Sequence, residues 1–170
     1  SVTINVNSDG TISLTSGSVD IGGSRTAIAM QAAEVLGISA EDVSPSVVDT
    51  DSVGYTANTG GSRTAFDTGF AAIKAAEEVK RLMSQRAALI FEVDEENITF
   101  EGGQFMCDST EDKIRFKDLS ARLMRTGATV TCSMSTVSPG IGPVIAGNIV
   151  DVEVDPETGK VDVLKFTAFM

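Results

Sequence analysis

Residues 60–89 read GGSRTAFDTGFAAIKAAEEVKRLMSQRAAL, and the period of this stretch decides the fold. Phe66, Phe70, Ile73, Ala76, Lys80 and Met83 mark successive turns, which predicts a helix from about Thr64 to about Leu89. Glu77 stands one turn before Arg81 as an i,i+4 pair, and Gly69 interrupts the run at some cost. The six residues that open the stretch, Gly60-Gly61-Ser62-Arg63-Thr64-Ala65, occur once more 38 positions earlier as Gly22-Gly23-Ser24-Arg25-Thr26-Ala27. A helix is predicted there too. Ile28, Ala32, Val35 and Leu36 fall at helical spacing between Ser24 and Leu36, and Gly37 sits where a left-handed C-terminal residue belongs.

The residue types in the repeated hexapeptide describe an anion site at the start of each helix. Two glycines let backbone N–H groups approach a ligand without a Cβ in the way, and Ser is a favoured N-cap. Arg adds a planar fork of donors at the positive end of the helix dipole, and the Ser and Thr hydroxyls add donors for phosphate or pterin-type heteroatoms. The candidate binding residues are Gly22, Gly23, Ser24, Arg25 and Thr26 in the first copy and Gly60, Gly61, Ser62, Arg63 and Thr64 in the second. A single copy would read as ordinary capping. The repetition, and an Arg that capping does not require, favour a ligand. Internal duplication is the weaker account, because the flanking residues do not repeat.

Outward from the repeat, the chain alternates between strands and turns. Val2, Ile4 and Val6 alternate with polar residues, Asp9-Gly10 turns, and Ile12 and Leu14 resume the alternation, which predicts an opening hairpin. Val43 to Val48 reads as a short strand leading into a polar, Gly-rich loop from Asp49 to Gly61, long enough to suggest function. A hairpin is expected around Gly102-Gly103, with Ile98 and Phe100 before it and Phe105 after. A short helix near Lys117 to Arg125, closed by Gly127, precedes a strand from Thr129 to Met134 and a loop from Ser138 to Pro143. The last hairpin is the clearest: Val150, Val152 and Val154 alternate with acids, Pro156 to Gly159 turn, and Val161, Val163, Leu164 and Phe166 return. This order predicts an α+β fold, a mixed or antiparallel sheet packed with two main helices and one short one, as a single domain over residues 1–170.

Composition narrows the chemistry. The chain has 170 residues, 42% of them apolar, with 13 Lys and Arg against 24 Asp and Glu, two Cys and no His or Trp. Domains of about 150 residues bury roughly 70% of the surface their unfolded chains expose, so no disulfide or metal is needed for folding. A net charge of −11 argues against nucleic acid and anionic membrane surfaces, whose binding relies on Lys and Arg. Absence of His excludes a Ser/His/Asp triad. Cys107 and Cys132 lack metal-ligand spacing and read as small core residues, as do the Met and Phe side chains. Asp49, Asp51 and Asp20 lack the spacing of a calcium loop and read as turn residues and caps, and Tyr55 reads as a surface residue. The longest strongly apolar run, Ala87 to Phe91, is far short of the about 20 residues that span a bilayer, so the sequence reads as soluble. Both ends stop inside strand-like or apolar runs, as in a piece of a longer polypeptide.

Several segments, in order, resemble the molybdopterin-binding subunit of the xanthine dehydrogenase and aldehyde oxidase family. They are Gly17-Ser-Val-Asp-Ile-Gly-Gly-Ser-Arg-Thr-Ala27, Gln31-Ala-Ala-Glu-Val-Leu-Gly37, Val48-Asp-Thr-Asp51, Asn58-Thr-Gly-Gly-Ser-Arg-Thr64, Gly69, Ala71-Ala-Ile-Lys-Ala-Ala76 and Val152-Glu-Val-Asp-Pro-Glu-Thr-Gly-Lys-Val161. The resemblance implies the molybdenum-cofactor-binding type of domain. It implies one portion of an oxidoreductase that inserts water-derived oxygen into a C–H bond of an aldehyde or N-heterocycle, or oxidises carbon monoxide. It also implies molybdopterin or its dinucleotide as cofactor, held at the two GGSRTA loops. Iron-sulfur clusters and FAD would sit on other domains or subunits. Expected partners are the rest of the molybdopterin-binding subunit, the iron-sulfur and FAD subunits or domains, and a further copy in a homo-oligomer, with no nucleic acid and no membrane; the default compartment is the cytoplasm.

The sequence departs from the family at four places. The first loop has no Gln between its glycines, and a His ahead of the final hairpin is replaced by Asn148 or its neighbours. The family's catalytic Glu would fall beyond Met170, and its upstream cofactor segments before Ser1. Residues 1–170 are therefore not expected to catalyse alone. Two other readings remain open at this point: a non-catalytic acidic interaction module, and a stand-alone domain for a phosphorylated ligand.

Overall fold

A computed structural model describes residues 1–49, 51–137, 140 and 145–169, and its backbone divides into two compact units, Ser1–Pro139 and Gly140–Met170. The sequence reads as one domain over the same span.

The first unit is built on a four-stranded sheet. Strands β1 (Val2–Val6) and β2 (Ile12–Ser16) form the expected antiparallel hairpin, with Val2 opposite Ser16 and Val6 opposite Ile12. Strand β3 (Val43–Val47) joins β2 in parallel. A strand at Thr131–Met134 pairs antiparallel with β1, so the mixed sheet runs β3, β2, β1 and then this fourth strand. Strict alternation puts Val2, Ile4, Val6, Ile12 and Leu14 on one face, all buried. Helices α1 (Ser24–Leu36) and α2 (Gly69–Phe91) cover that face, α1 over β3 and α2 over β1 and the fourth strand. Their own contact is lined by small side chains: Ala29, Ala32 and Ala33 of α1, and Ala71, Ala72, Ala75 and Ala76 of α2, are buried. Small residues let the two helices approach closely, while Ile28, Leu36, Val79 and Met83 fill the space above the sheet. Burying a side chain of this size stabilises by about 1.5–3 kcal/mol.

Three expectations change in detail. The helix predicted from Thr64 is α-helical only from Gly69; residues Thr64–Thr68 form a π-helical turn. Gly69 does not interrupt the helix but begins its α-helical part, and a Cβ there would collide with the side chain of Gln31 on α1. The ion pairs also differ: Arg81 bonds Glu78 at 2.7 Å, one residue nearer than Glu77, which is taken by Lys74 at 2.8 Å. Glu95 also approaches Arg81, at 3.9 Å.

After α2, strands β4 (Thr99–Glu101), β5 (Gln104–Cys107) and β6 (Asp112–Arg115) make a three-stranded antiparallel sheet around Gly102-Gly103. It is pinned by the ring cluster of Phe100, Phe105 and Phe116, with centroids 4.6 and 6.4 Å apart. Gly37, in the left-handed conformation at the end of α1, lies against Gly103 so closely that a Cβ at either would meet the other's backbone. The predicted short helix is two pieces, α3 (Phe116–Ser120) and α4 (Leu123–Thr126), divided at Ala121-Arg122. The fourth strand of the first sheet, Thr131–Met134, is β7. Cys107 and Cys132 are buried free thiols, in agreement with the sequence reading.

The second unit is one long hairpin, β8 (Gly147–Val154) and β9 (Val161–Phe169). Asp155 organises its turn, accepting the Glu157 N–H at 2.8 Å and the Thr158 hydroxyl at 2.7 Å. Val150 stands opposite Phe166, Val152 opposite Val163 and Val154 opposite Val161, with the ladder shifted at Leu164 by a bulge. One face of the ribbon is therefore apolar, and these side chains are exposed within the unit. The expected loop from Ser138 to Pro143 lies, except for Gly140, outside the described residues.

Candidate functional site

Both copies of the hexapeptide face one cleft of about 390 Å³ in the first unit. Gly22, Gly23 and Ser24 line it from the first copy, and Gly60, Ser62, Arg63 and Thr64 from the second, together with Ile21, Ala27, Thr59 and Ala65. Gly61, Arg25 and Thr26 do not line it. The copies are held together from behind. The buried hydroxyls of Ser18, ahead of the first copy, and Thr68, behind the second, bond at 2.8 Å, and Gln31 lies against Gly69.

The same six residues adopt two different turns. In the first copy Gly22 and Gly23 are left-handed, with φ of 58° and 78°. The turn closes with the Ser24 N–H donating to Ile21 O at 3.1 Å, and α1 begins at Ser24. In the second copy the left-handed pair is Gly61 and Ser62, both with φ of 58°, and the turn closes one residue later, with the Arg63 N–H donating to Gly60 O at 3.3 Å. Left-handed backbone costs a non-glycine residue about 1–2 kcal/mol, so Ser62 is strained where Ser24 is not.

The Ser N-caps expected from the sequence do not form. Gly23 is the N-cap of α1 and Arg63 precedes the π turn, and neither of these residues makes a side-chain cap bond of its own. Instead Ser24 Oγ accepts the Ile21 N–H at 3.1 Å and lies 3.3 Å from Asp20 Oδ1. Asp20 does the capping: its carboxylate accepts the Arg25 N–H at 3.0 Å and Arg25 Nε at 2.9 Å. The Arg25 backbone N–H, then the Arg25 side chain, holds the Asp20 carboxyl below the usual carboxylate range. The other arginine turns the opposite way. Arg63 Nε reaches forward to Asp67 Oδ2 at 2.6 Å and Nη1 donates to Asn58 O at 3.0 Å.

The sequence reading of Asp20 as a cap agrees with the structure, while Asp67, Ser18 and Thr68 were missed. The i,i+4 spacing of Arg63 and Asp67 was a usable signal. The Ser18–Thr68 pair spans 50 residues and leaves no local signature. The acids at Asp49 and Asp51 form a turn, the Asp51 N–H bonding Asp49 Oδ1 at 2.9 Å, and among the described residues no cluster of acids, Cys or His could hold a metal. No helix of the described residues is long and apolar enough to cross a membrane.

The donor set fits the phosphate-bearing part of a large cofactor. Although the chain carries a net charge of −11, no carboxylate lines the cleft among the described residues. Its polar residues are glycines, hydroxyl-bearing Ser and Thr, and Arg63. A Cβ built on Gly22 or Gly23 would meet nothing within 4 Å, so the space beside both glycines is open. The Ser62 and Thr64 hydroxyls, which have no hydrogen-bond partner among the described residues, complete a site rich in donors.

This fold and this donor-lined cleft define a cofactor-holding domain, and the chain belongs to the molybdopterin cofactor-binding domain family, whose sequence model matches residues 1–170. Among individual proteins, the large subunit of nicotine 6-hydroxylase from Paenarthrobacter nicotinovorans is 29% identical over 175 residues, which cover 96% of this chain and 21% of that protein. The copper- and molybdenum-containing CO dehydrogenase has the same fold, with a TM-score of 0.81 at 23% identity over 98% of this chain and 22% of that one. Quinoline 2-oxidoreductase from Pseudomonas putida 86 superposes with a TM-score of 0.72 at 25% identity, over the same shares of the two chains. The chain thus spans about a fifth of the length of these relatives. The α+β fold agrees with the sequence reading, and the matches agree with its resemblance to the large subunit of molybdenum hydroxylases.

Proposed function

We propose that residues 1–170 are the cofactor-holding portion of the large subunit of a molybdenum hydroxylase of the xanthine dehydrogenase and aldehyde oxidase type. The two GGSRTA turns hold molybdopterin or its dinucleotide at its phosphates. The observation that carries this reading is a carboxylate-free, donor-lined cleft in an acidic chain of this family. Gly22, Gly23 and Gly60 present backbone, Ser62 and Thr64 present hydroxyls, and Arg63 supplies positive charge. Gly61 lets the second turn form, and Arg25 supports the first turn through Asp20 from outside the cleft, while Thr26 lies outside it. When bound, the cofactor supplies the redox chemistry; these residues bind and orient it. Iron-sulfur and FAD domains or subunits would carry the electrons onward, in a cytoplasmic assembly completed by the rest of the large subunit.

The test is made in the assembled parent enzyme. Changing Ser62 and Arg63 together to Ala should lower molybdenum and pterin content per protein at least about tenfold, since hydrogen bonds to charged groups contribute roughly 1.5–3 kcal/mol each. Full metal and pterin content in that double variant would overturn the assignment.

A further inference from the structure

We infer that the valine-rich face of the β8/β9 ribbon docks onto an apolar face of the same large subunit that lies outside residues 1–170. The inference rests on the reading of these residues as one portion of such a subunit.

The register sorts the ribbon's side chains by face. Val150 opposite Phe166, Val152 opposite Val163 and Val154 opposite Val161 share one face, and no charged residue stands among these pairs. Asp151 opposite Lys165 and Glu153 opposite Asp162 share the other. An antiparallel sheet with one wet face keeps its charges there and buries the opposite face. Here that opposite face is bare: its six large apolar side chains are 41–63% exposed. Together they leave on the order of 500 Å² of contiguous apolar surface, near the top of what a monomer shows and typical of an interaction site. A two-stranded hairpin is at best marginally stable in water, so strands of eight and nine residues gain most when such a face is covered.

Charge and length choose the occupant. The ribbon carries five acids and two bases, so two ribbons stacked face to face would bring like-charged rims together, which disfavours a second copy. The same acids disfavour an anionic membrane surface. The relatives supply the alternative. Superposition on CO dehydrogenase and on quinoline 2-oxidoreductase takes in 98% of this chain, ribbon included, and 22% of theirs. The ribbon is thus part of a fold carried inside much longer polypeptides, and the polypeptide outside the shared span is the partner at hand. Its contacting side chains are aliphatic or aromatic, because a buried charge would find nothing to bond on this face.

Maleimide labelling of single cysteines reads the face directly, with the unsubstituted protein as the blank for the buried Cys107 and Cys132. In residues 1–170 alone, Val152→Cys and Glu153→Cys should react at similar rates. In the assembled parent enzyme Val152→Cys should slow at least about a hundredfold and recover on denaturation, while Glu153→Cys stays reactive. Val163→Cys repeats the measurement from β9 if the first variant assembles poorly. Equal rates for Val152→Cys in the two proteins would overturn the inference. So would protection in residues 1–170 alone: protection that grows with concentration assigns the face to a second copy, and protection at every concentration assigns it to the first unit of the chain. Glu153→Cys protected as strongly as Val152→Cys in the parent would overturn it as well, since burial would then not select the apolar face. Selective protection in a parent that contains no molybdenum or pterin would support the docking face and remove the cofactor reading; full molybdenum content with Val152→Cys unprotected would do the reverse.

Discussion

The two GGSRTA turns are identical in sequence and different in shape, and the comparison shows where a local conformation is decided. Nothing inside the hexapeptide can place the left-handed pair on Gly22-Gly23 in one copy and on Gly61-Ser62 in the other. The deciding groups lie outside it: Asp20 five residues before Arg25, and Asp67 four residues after Arg63. Each acid turns its arginine toward itself, and the turn follows the arginine. A six-residue identity thus fixes a menu of conformations, and one neighbouring charge selects from it.

The comparison breaks most readily at the glycines. Replacing Gly22 and Gly23 together by Ala puts two side chains into left-handed backbone and should cost about 3 kcal/mol, whereas Gly60 and Gly61 to Ala should cost about half that, since only Gly61 is left-handed. Urea midpoints at unchanged m-value measure both. Equal losses would mean that the two turns share a register. The serines should respond with opposite signs. Ser62→Gly relieves the strained position and should stabilise by about 0.5 kcal/mol, while Ser24→Gly removes the Ile21 bond and weakens the first turn of α1, at a cost of about 1 kcal/mol. Two changes of the same sign would dismiss strain at Ser62.

The smallest effect is in pH. Asp20 has a lowered carboxyl pKa because it accepts the Arg25 N–H and side chain. Its contribution to the first turn is therefore complete above the ordinary carboxylate value of about 4 and is lost as the pH falls through the lower folded value. The amide resonance of Arg25 should titrate below that range, and Asp20→Asn should abolish the transition. A midpoint at the ordinary carboxylate value would show that the capping bond is absent in solution.

Much of the architecture could be read in advance because it rests on period and turn chemistry. The β1/β2 hairpin, α1 with Gly37 at its end and the β8/β9 ribbon all carry their signals within a few residues. The parallel pairing of β3 on β2 and the start of α2 at Gly69 depend on contacts far along the chain. Gly69 is a close approach to Gln31, and a sequence shows only an expensive glycine. At the site, the residue types that line the cleft were legible as a repeat, but the direction of each arginine was not. That direction is settled by Asp20, which reads from the sequence only as a turn residue or cap, and by Asp67, which carries no reading there.

The absence of carboxylates from the cleft also has a kinetic side. With 24 acids against 13 bases, residues 1–170 would, under the proposed function, repel a phosphate-bearing molecule at long range and attract it only within hydrogen-bonding distance of the donors. Steered encounters between opposite charges slow as salt is added. Here the order should reverse: at 0.1 M salt the repulsion is screened beyond about 10 Å, and entry becomes faster while the short-range grip changes little. A site of this kind does not draw its anion out of dilute solution; it keeps one that has been brought to its door.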